Sequence, residues 1–157
     1  MKKEGFYCGN DVAREFIEEQ IRSGGKALPW DNRKEFSKII LEKRIKQYED
    51  APEGDVCFFD RGIPDLIGYL IKAGLKVPDE YYKSAKSHPY QKIVFFTPPW
   101  QATFEKDPDR HETFGEAVII HNAIKKVYQD LGYKVIDVPK TSVDKRIEFI
   151  LKFNLRF

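Results

Sequence analysis

Residues 56–65 read Val56-Cys57-Phe58-Phe59-Asp60-Arg61-Gly62-Ile63-Pro64-Asp65. Four apolar residues in a row, bounded by turn signals, have the length of a strand buried on both faces, the situation of a parallel sheet. Pro64 falls in the first turn of a helical stretch from Ile63 to Ala73. A strand, a tight polar turn and a helix make half of a βαβ unit. The apolar run returns at Ile93-Val94-Phe95-Phe96, closed by Pro98-Pro99, and more weakly at Val135-Ile136-Asp137-Val138, closed by Pro139.

Helical periods fill the intervals. Val12, Ala13, Phe16, Ile17 and Ile21 recur at helical spacing, with Asn10 or Asp11 as cap and Gly24-Gly25 as stop. Asp31 offers the cap of a second helix, whose buried stripe is Phe36, Ile39, Ile40 and Ile45, and Pro52 and Gly54 break it. Shorter stretches run from Asp79 to Lys86 and, behind Thr141 or Ser142, from Val143 to Lys152. The longest, Glu112 to Leu131, spaces Phe114, Ala117, Val118, Ile124, Tyr128 and Leu131 for burial. Strands separated by helices predict an α/β fold: a three-layer domain with a parallel sheet and helices on both faces.

The 157 residues suit one domain. A composition 41% hydrophobic and 14% aromatic is too apolar for a disordered chain. Lys+Arg 27 against Asp+Glu 25 is too balanced to mark a nucleic-acid or membrane partner. No apolar run approaches the ~20 residues of a membrane span, and Met1-Lys2-Lys3-Glu4 leads into no apolar signal segment. The two cysteines, Cys8 and Cys57, form no CxxC pair, which argues against a disulfide framework or thiolate zinc site. A cytoplasmic location is expected.

In open parallel sheets ligands bind beyond the carboxyl ends of the strands, so the residues after each apolar run are the candidates. They are Asp60-Arg61-Gly62, Thr97-Pro98-Pro99-Trp100 and Pro139-Lys140-Thr141-Ser142. A carboxylate directly after a buried strand is costly to desolvate, so Asp60 calls for Arg61, Lys140 or a bound Mg²⁺. It can equally cap the following helix, and the two roles are compatible. Asp107-Pro108-Asp109-Arg110-His111-Glu112 reads by itself as a charged helix N-terminus, while an arginine there is also suited to phosphate groups. His88, His111 and His121 lack metal-ligand spacing. Trp30 and Trp100 follow Pro-containing loops and read as packing anchors, and the cysteines as inert thiols.

An ordered set of motifs carries a resemblance. It comprises Val12-Ala13-Arg14-Glu15, Glu19-Gln20, Gly25, Ala27-Leu28-Pro29-Trp30 and Phe58-Phe59-Asp60-Arg61-Gly62-Ile63-Pro64-Asp65. It continues through Pro98-Pro99-Trp100, Arg110, Phe114-Gly115-Glu116-Ala117, His121, Tyr128, Leu131-Gly132-Tyr133 and Val138-Pro139. From about Gly5 to Leu151 the chain resembles the AAA-type predicted ATPases of the NadR-like kinase group, small P-loop NTPases with a nucleotide-kinase-like fold. Members of that group open with a strand, a glycine-rich phosphate loop and a helix, ~25–30 residues in all. Here the nearest match to GxxxxGK[ST] is Gly24-Gly25-Lys26, with Gln20 in place of the first glycine, Ala27 after the lysine and a helix in front of it. It is no phosphate loop. Cys8-Gly9-Asn10-Asp11 also departs from the family's apolar pair and two acids.

The resemblance therefore implies a P-loop NTPase-like domain over residues 1–157, incomplete at its N-terminus, with the first strand and phosphate loop absent. That strand would lie between the strands at Val56 and Ile93 and leave both with unpaired edges. Three arrangements are open: an internal Met at position 1 of a longer protein, a degenerate remnant, or the two orphan strands closing on each other. An exposed edge also admits a homo-oligomer.

The implied roles follow residue by residue. Asp60 is the carboxylate that holds Mg²⁺ through water or takes a proton from a substrate hydroxyl. Arg61 orients substrate or phosphate, and Arg110 is a lid arginine that meets the transferring phosphoryl group. Arg14 and Trp30 stand on the side of a small-molecule acceptor. Pro139 and Lys140 lie where the nucleotide base is held. The implied function is binding of ATP or GTP with Mg²⁺, as an NTPase or small-molecule kinase-like domain, inactive without its phosphate loop. The alternative is a non-catalytic remnant acting as a binding protein.

Overall fold

The computed structural model describes residues 1–104 and 112–153. They form two compact units, one of Met1–Leu66 with Asp79–His88, the other of Ile67–Pro78 with the residues from Pro89 onward.

In the first unit a single turn, Lys2–Glu4, ends at Gly5 (φ 84°) and leads into β1, Tyr7–Cys8. Helix α1, Val12–Ser23, is capped by Asp11, whose side chain accepts from the Arg14 N–H, and stops at Gly24 in the left-handed region. Helix α2, Arg33–Glu49, is capped by Asn32, which accepts from the Glu35 N–H at 3.2 Å. The expected cap, Asp31, lies one residue too early, because Leu28 O already takes the N–H groups of Asp31 and Asn32 and sets the helix start. Strand β2, Cys57–Phe58, pairs in parallel with β1, Tyr7 opposite Cys57 and Cys8 opposite Phe58. Helix α3, Ile63–Lys72, follows β2; its residues to Leu66 belong to the first unit and the rest to the second. Helix α4, Asp79–Ser87, completes the unit.

The core here is Phe16, Leu28, Phe36, Ile40, Leu41, Ile63, Leu66, Tyr81 and Ala85. Phe16 and Phe36, with ring centroids 6.1 Å apart, tie α1 to α2. The buried stripe of α2 differs from the expected one. Ile39 and Ile45 are half-buried, and the buried positions are Phe36, Ser37, Ile40, Leu41 and Arg44. His88 is structural: its Nδ1 meets the Ser84 carbonyl oxygen at 2.9 Å, and its ring packs edge-on against Tyr48.

In the second unit β3, Ile93–Phe96, leads through a short helix α5, Gln101–Phe104, toward helix α6, Phe114–Asp130. Helix α6 begins two residues later than the sequence suggests, because Thr113 and Glu116 form a capping box that satisfies two otherwise orphan N–H groups. Strand β4, Lys134–Asp137, lies parallel to β3 over four residues, and the Val138 N–H extends the ladder to Phe96 O at 2.7 Å. Helix α7, Val143–Leu151, starts after Ser142, whose hydroxyl makes no capping bond. Ile67, Leu70, Ile124, Val127, Tyr128 and Val138 are buried. Gly68 lets α3 lie against α6, since a β-carbon there would come 2.8 Å from the Ile124 Cα.

The strands pair in parallel within a mixed α/β fold, but a single sheet covered on both faces is not what they form. Among the described residues there are two separate two-stranded sheets, β1-β2 and β3-β4. Among the described residues β2 and β3 do not pair with each other. All four strands are half-buried or exposed along their length, against the expected burial on both faces, since each has one neighbour only. No described helix is long and apolar enough to cross a membrane.

Candidate functional site

The first unit brings the carboxyl ends of two parallel strands side by side. β1 runs into Gly9-Asn10-Asp11 and α1, and β2 runs into Phe59-Asp60-Arg61-Gly62 and α3. The Gly9 N–H donates to Phe58 O at 2.8 Å, carrying the ladder one residue past β1. Both connections are short polar turns between a strand end and a helix start, the place where α/β folds put their ligands.

Helix α2 lies against both turns and anchors each through one side chain. Gln47 Nε2 donates to Asn10 O at 2.7 Å. One turn earlier, Arg44 Nη1 donates to Asp60 O at 3.1 Å and to Arg61 O at 2.9 Å. Residues three apart share a helix face, so one stripe of α2 serves both strand ends. The fit is close: a β-carbon at Gly9 would come 2.8 Å from Gln47 Nε2 and 3.1 Å from the Phe59 ring, so a larger residue would push the Gln47 amide aside.

Arg44 is 3% exposed, and its Nε is buried without a hydrogen-bond partner. Taking a guanidinium out of water costs several kcal/mol unless its donors are met. Here its hydrogen bonds go to two carbonyl oxygens.

The turn it holds is unusual. Arg61 has φ 71°, the one non-glycine residue with positive φ among the described residues, which costs an L-residue ~1–2 kcal/mol. Asp65, 6% exposed, secures the other side. Its Oδ2 accepts from the Gly62 N–H at 2.8 Å, and its Oδ1 from Arg61 Nη1 at 3.3 Å. The Asp60–Gly62 backbone is thus gripped from α2 and from α3, while the Asp60 side chain is exposed and the Arg61 side chain, half exposed, lies against Asp65.

Asp60 therefore stands where the sequence places it, after β2, but in a different electrostatic situation. It is exposed, so burial imposes no need for a counter-charge, and Arg61 turns toward Asp65 instead. Asp60 does not cap α3; the carboxylate that meets the Gly62 N–H belongs to Asp65. Arg14 is exposed in the first turn of α1, behind the β1 turn. Trp30, 47% exposed, lies in the connection between α1 and α2, where Arg33 Nε donates to Pro29 O at 3.0 Å. Pro139 and Lys140 belong to the second unit, exposed just beyond β4. Arg110 lies outside the described residues.

Sequence reasoning missed Arg44 and Asp65. A signal for the first was present: Phe36, Ile40 and Arg44 recur at i, i+4 and i+8, so a cation occupies a place in the apolar stripe.

Among the described residues no group of three His, Cys, Asp or Glu side chains is placed to hold a metal ion. A lone exposed carboxylate fits Mg²⁺ only as one ligand of an ion that keeps its waters and arrives with phosphate groups.

Two short parallel sheets with helices between their strands, and a gripped polar turn at the end of one pair, make this a mixed α/β protein. A family model described as an AAA domain matches residues 1–146, and the chain belongs to that family. No curated protein and no solved structure matches it significantly.

Proposed function

We propose that this chain is a nucleotide-binding, P-loop NTPase-like protein of the small-molecule kinase type, with its site at the carboxyl ends of β1 and β2. The observation that carries this reading is the Asp60-Arg61-Gly62 turn. Asp60 and Arg61 are presented to solvent from a backbone gripped on both sides, at the position where this fold meets its ligand, in a chain that belongs to the AAA domain family.

In this reading ATP or GTP enters with Mg²⁺. Asp60 would hold the ion through water, or take the proton of an acceptor hydroxyl. Arg61, restrained by Asp65 with its guanidinium half exposed, orients a phosphate or the acceptor. Arg14 and Trp30, of the same unit, meet the acceptor. The ion would neutralise charge on the phosphates. Phosphoryl transfer depends almost wholly on positioning and charge stabilisation. The 157 residues contain no GxxxxGK[ST] to hold the β- and γ-phosphates, so this chain by itself binds nucleotide weakly and turns it over negligibly.

The same missing motif favours a second reading, a non-catalytic binding protein. Titration of the chain with ATP and with GTP, each with Mg²⁺, separates the two. Nucleotide binding reading requires saturable binding that Asp60→Ala and Arg61→Ala weaken. Failure of both nucleotides to bind, or binding indifferent to both substitutions, removes the site, and measurable ATPase or kinase activity removes the second reading.

A further inference from the structure

We propose that Arg44 is the positioning residue of the Asp60–Arg61 site: from inside the first unit it holds the strained turn that presents those two side chains.

Three observations carry this. Arg44 is buried on the apolar stripe of α2, where a leucine or methionine would fill the space without bringing a charge out of water. Both of its hydrogen bonds end on main-chain oxygens of consecutive residues, Asp60 and Arg61. Bonds to backbone fix the conformation of the turn regardless of side-chain identity. Between those two carbonyls sits the one left-handed non-glycine residue described, Arg61. A backbone held in that region persists only where its surroundings over-determine it. The Nη1 bonds on one flank and the Asp65–Gly62 bond on the other do so.

A buried, incompletely satisfied guanidinium is a poor device for stability, because an apolar residue of similar size often does better. Its place here matches a geometric purpose. Arg44 meets no ligand; it acts through Asp60, which is exposed, and Arg61, which is half exposed beside Asp65. The functional part of the inference rests on the nucleotide-site reading, whereas the holding of the turn does not.

The test is native-state hydrogen exchange of the Gly62 N–H, whose acceptor is Asp65, compared with the Ile40 N–H in the middle of α2. Arg44→Met keeps the stem and removes every donor; Arg44→Lys keeps the charge with a single donor group. Holding of the turn predicts Gly62 exchange about tenfold faster relative to Ile40 in Arg44→Met, and a smaller rise in Arg44→Lys. Adding Arg61→Gly to either variant should return most of that rise, since glycine adopts φ near 71° without strain. Gln47→Ala, which loosens the other turn, should leave Gly62 unchanged. Equal changes at Gly62 and Ile40, or a rise indifferent to Arg61→Gly, would reduce Arg44 to a core filler and overturn the proposal. Should Arg44→Met not fold, the same ratio in Arg44→Lys decides.

Mg·ATP and Mg·GTP titrations of the same variants judge the reading of the site separately. Nucleotide binding by the unsubstituted chain that both Arg44 variants weaken supports a positioning role, and binding equal in all of them overturns it. If no variant binds nucleotide, the nucleotide reading falls while the exchange ratios still decide what Arg44 holds.

Discussion

Replacing Gly68 with alanine sets two effects of opposite sign against each other. Gly68 lies in the interior of α3, where alanine is favoured over glycine by ~1 kcal/mol of helix propensity. Against this, the new methyl would come 2.7 Å from Ile124 Cγ1, 2.8 Å from Ile124 Cα and 3.1 Å from Ile124 N. Carbon atoms pack at ~3.5–4.0 Å, so the two helices must part by roughly 0.7 Å or more. The Ile124 Cγ1 atom can rotate, but Cα and N belong to the backbone of α6 and cannot. Ile124 is 1% exposed, so parting the helices opens a packed region. Overpacking of this kind costs ~1–3 kcal/mol, towards the upper end where backbone is struck. We expect Gly68→Ala to destabilise by a net ~2 kcal/mol, measured by urea unfolding at constant m-value. A matched control sits on α6 itself. At Gly115 a β-carbon would meet nothing within 4 Å, so Gly115→Ala should be neutral or stabilising by up to ~1 kcal/mol. A Gly68→Ala protein as stable as the parent, or more so, would refute the close approach of α3 to α6.

Two further perturbations read local electrostatics. Burial, then the neighbouring Glu80 and Glu42, pushes the Tyr81 hydroxyl up to about 12. Because that value lies above tyrosine's ordinary ~10, its contribution to stability is complete below pH 10 and is lost as pH rises from there through about 12. Urea midpoints across that window should fall, and Tyr81→Phe should flatten the fall; an unchanged slope would count against burial of the hydroxyl. At the start of α6, hydrogen bonds from the Thr113 N–H and hydroxyl hold the Glu116 carboxyl below its usual range. That stabilisation is present above the ordinary carboxylate range and fades as pH falls through the lowered value. Thr113→Ala should cost the helix ~1 kcal/mol at neutral pH. NMR titration should show the Glu116 carboxyl moving part of the way back up, since the N–H of residue 113 still donates to it, and a value that stays put would refute the hydroxyl's bond to the carboxylate.

Much of the secondary structure is legible locally because helices and caps are local events. The stripe at Val12, Phe16 and Ile17, the stop at Gly24, Pro64 in the first turn of α3 and the apolar runs at β2, β3 and β4 depend on residues a few positions apart. Asp60 is legible for the same reason, since a polar residue directly after an apolar run marks a strand's end.

What lay beyond that reading depends on partners distant in the chain. Asn32 displaces Asp31 as cap because the Leu28 carbonyl sets where α2 begins. The division into β1-β2 and β3-β4 depends on which strands find neighbours, and apolar runs are mute about pairing. The grip on the site is the plainest case. The spacing of Arg44 behind Phe36 and Ile40 hints at burial, but only the fold brings it to carbonyls 16 and 17 residues away. The sequence by itself determined which residues could end a strand and face a ligand. Only the tertiary structure decided that their backbone would be held there by a buried charge, because burial is a property of everything packed around a residue, not of the residue and its neighbours in the chain.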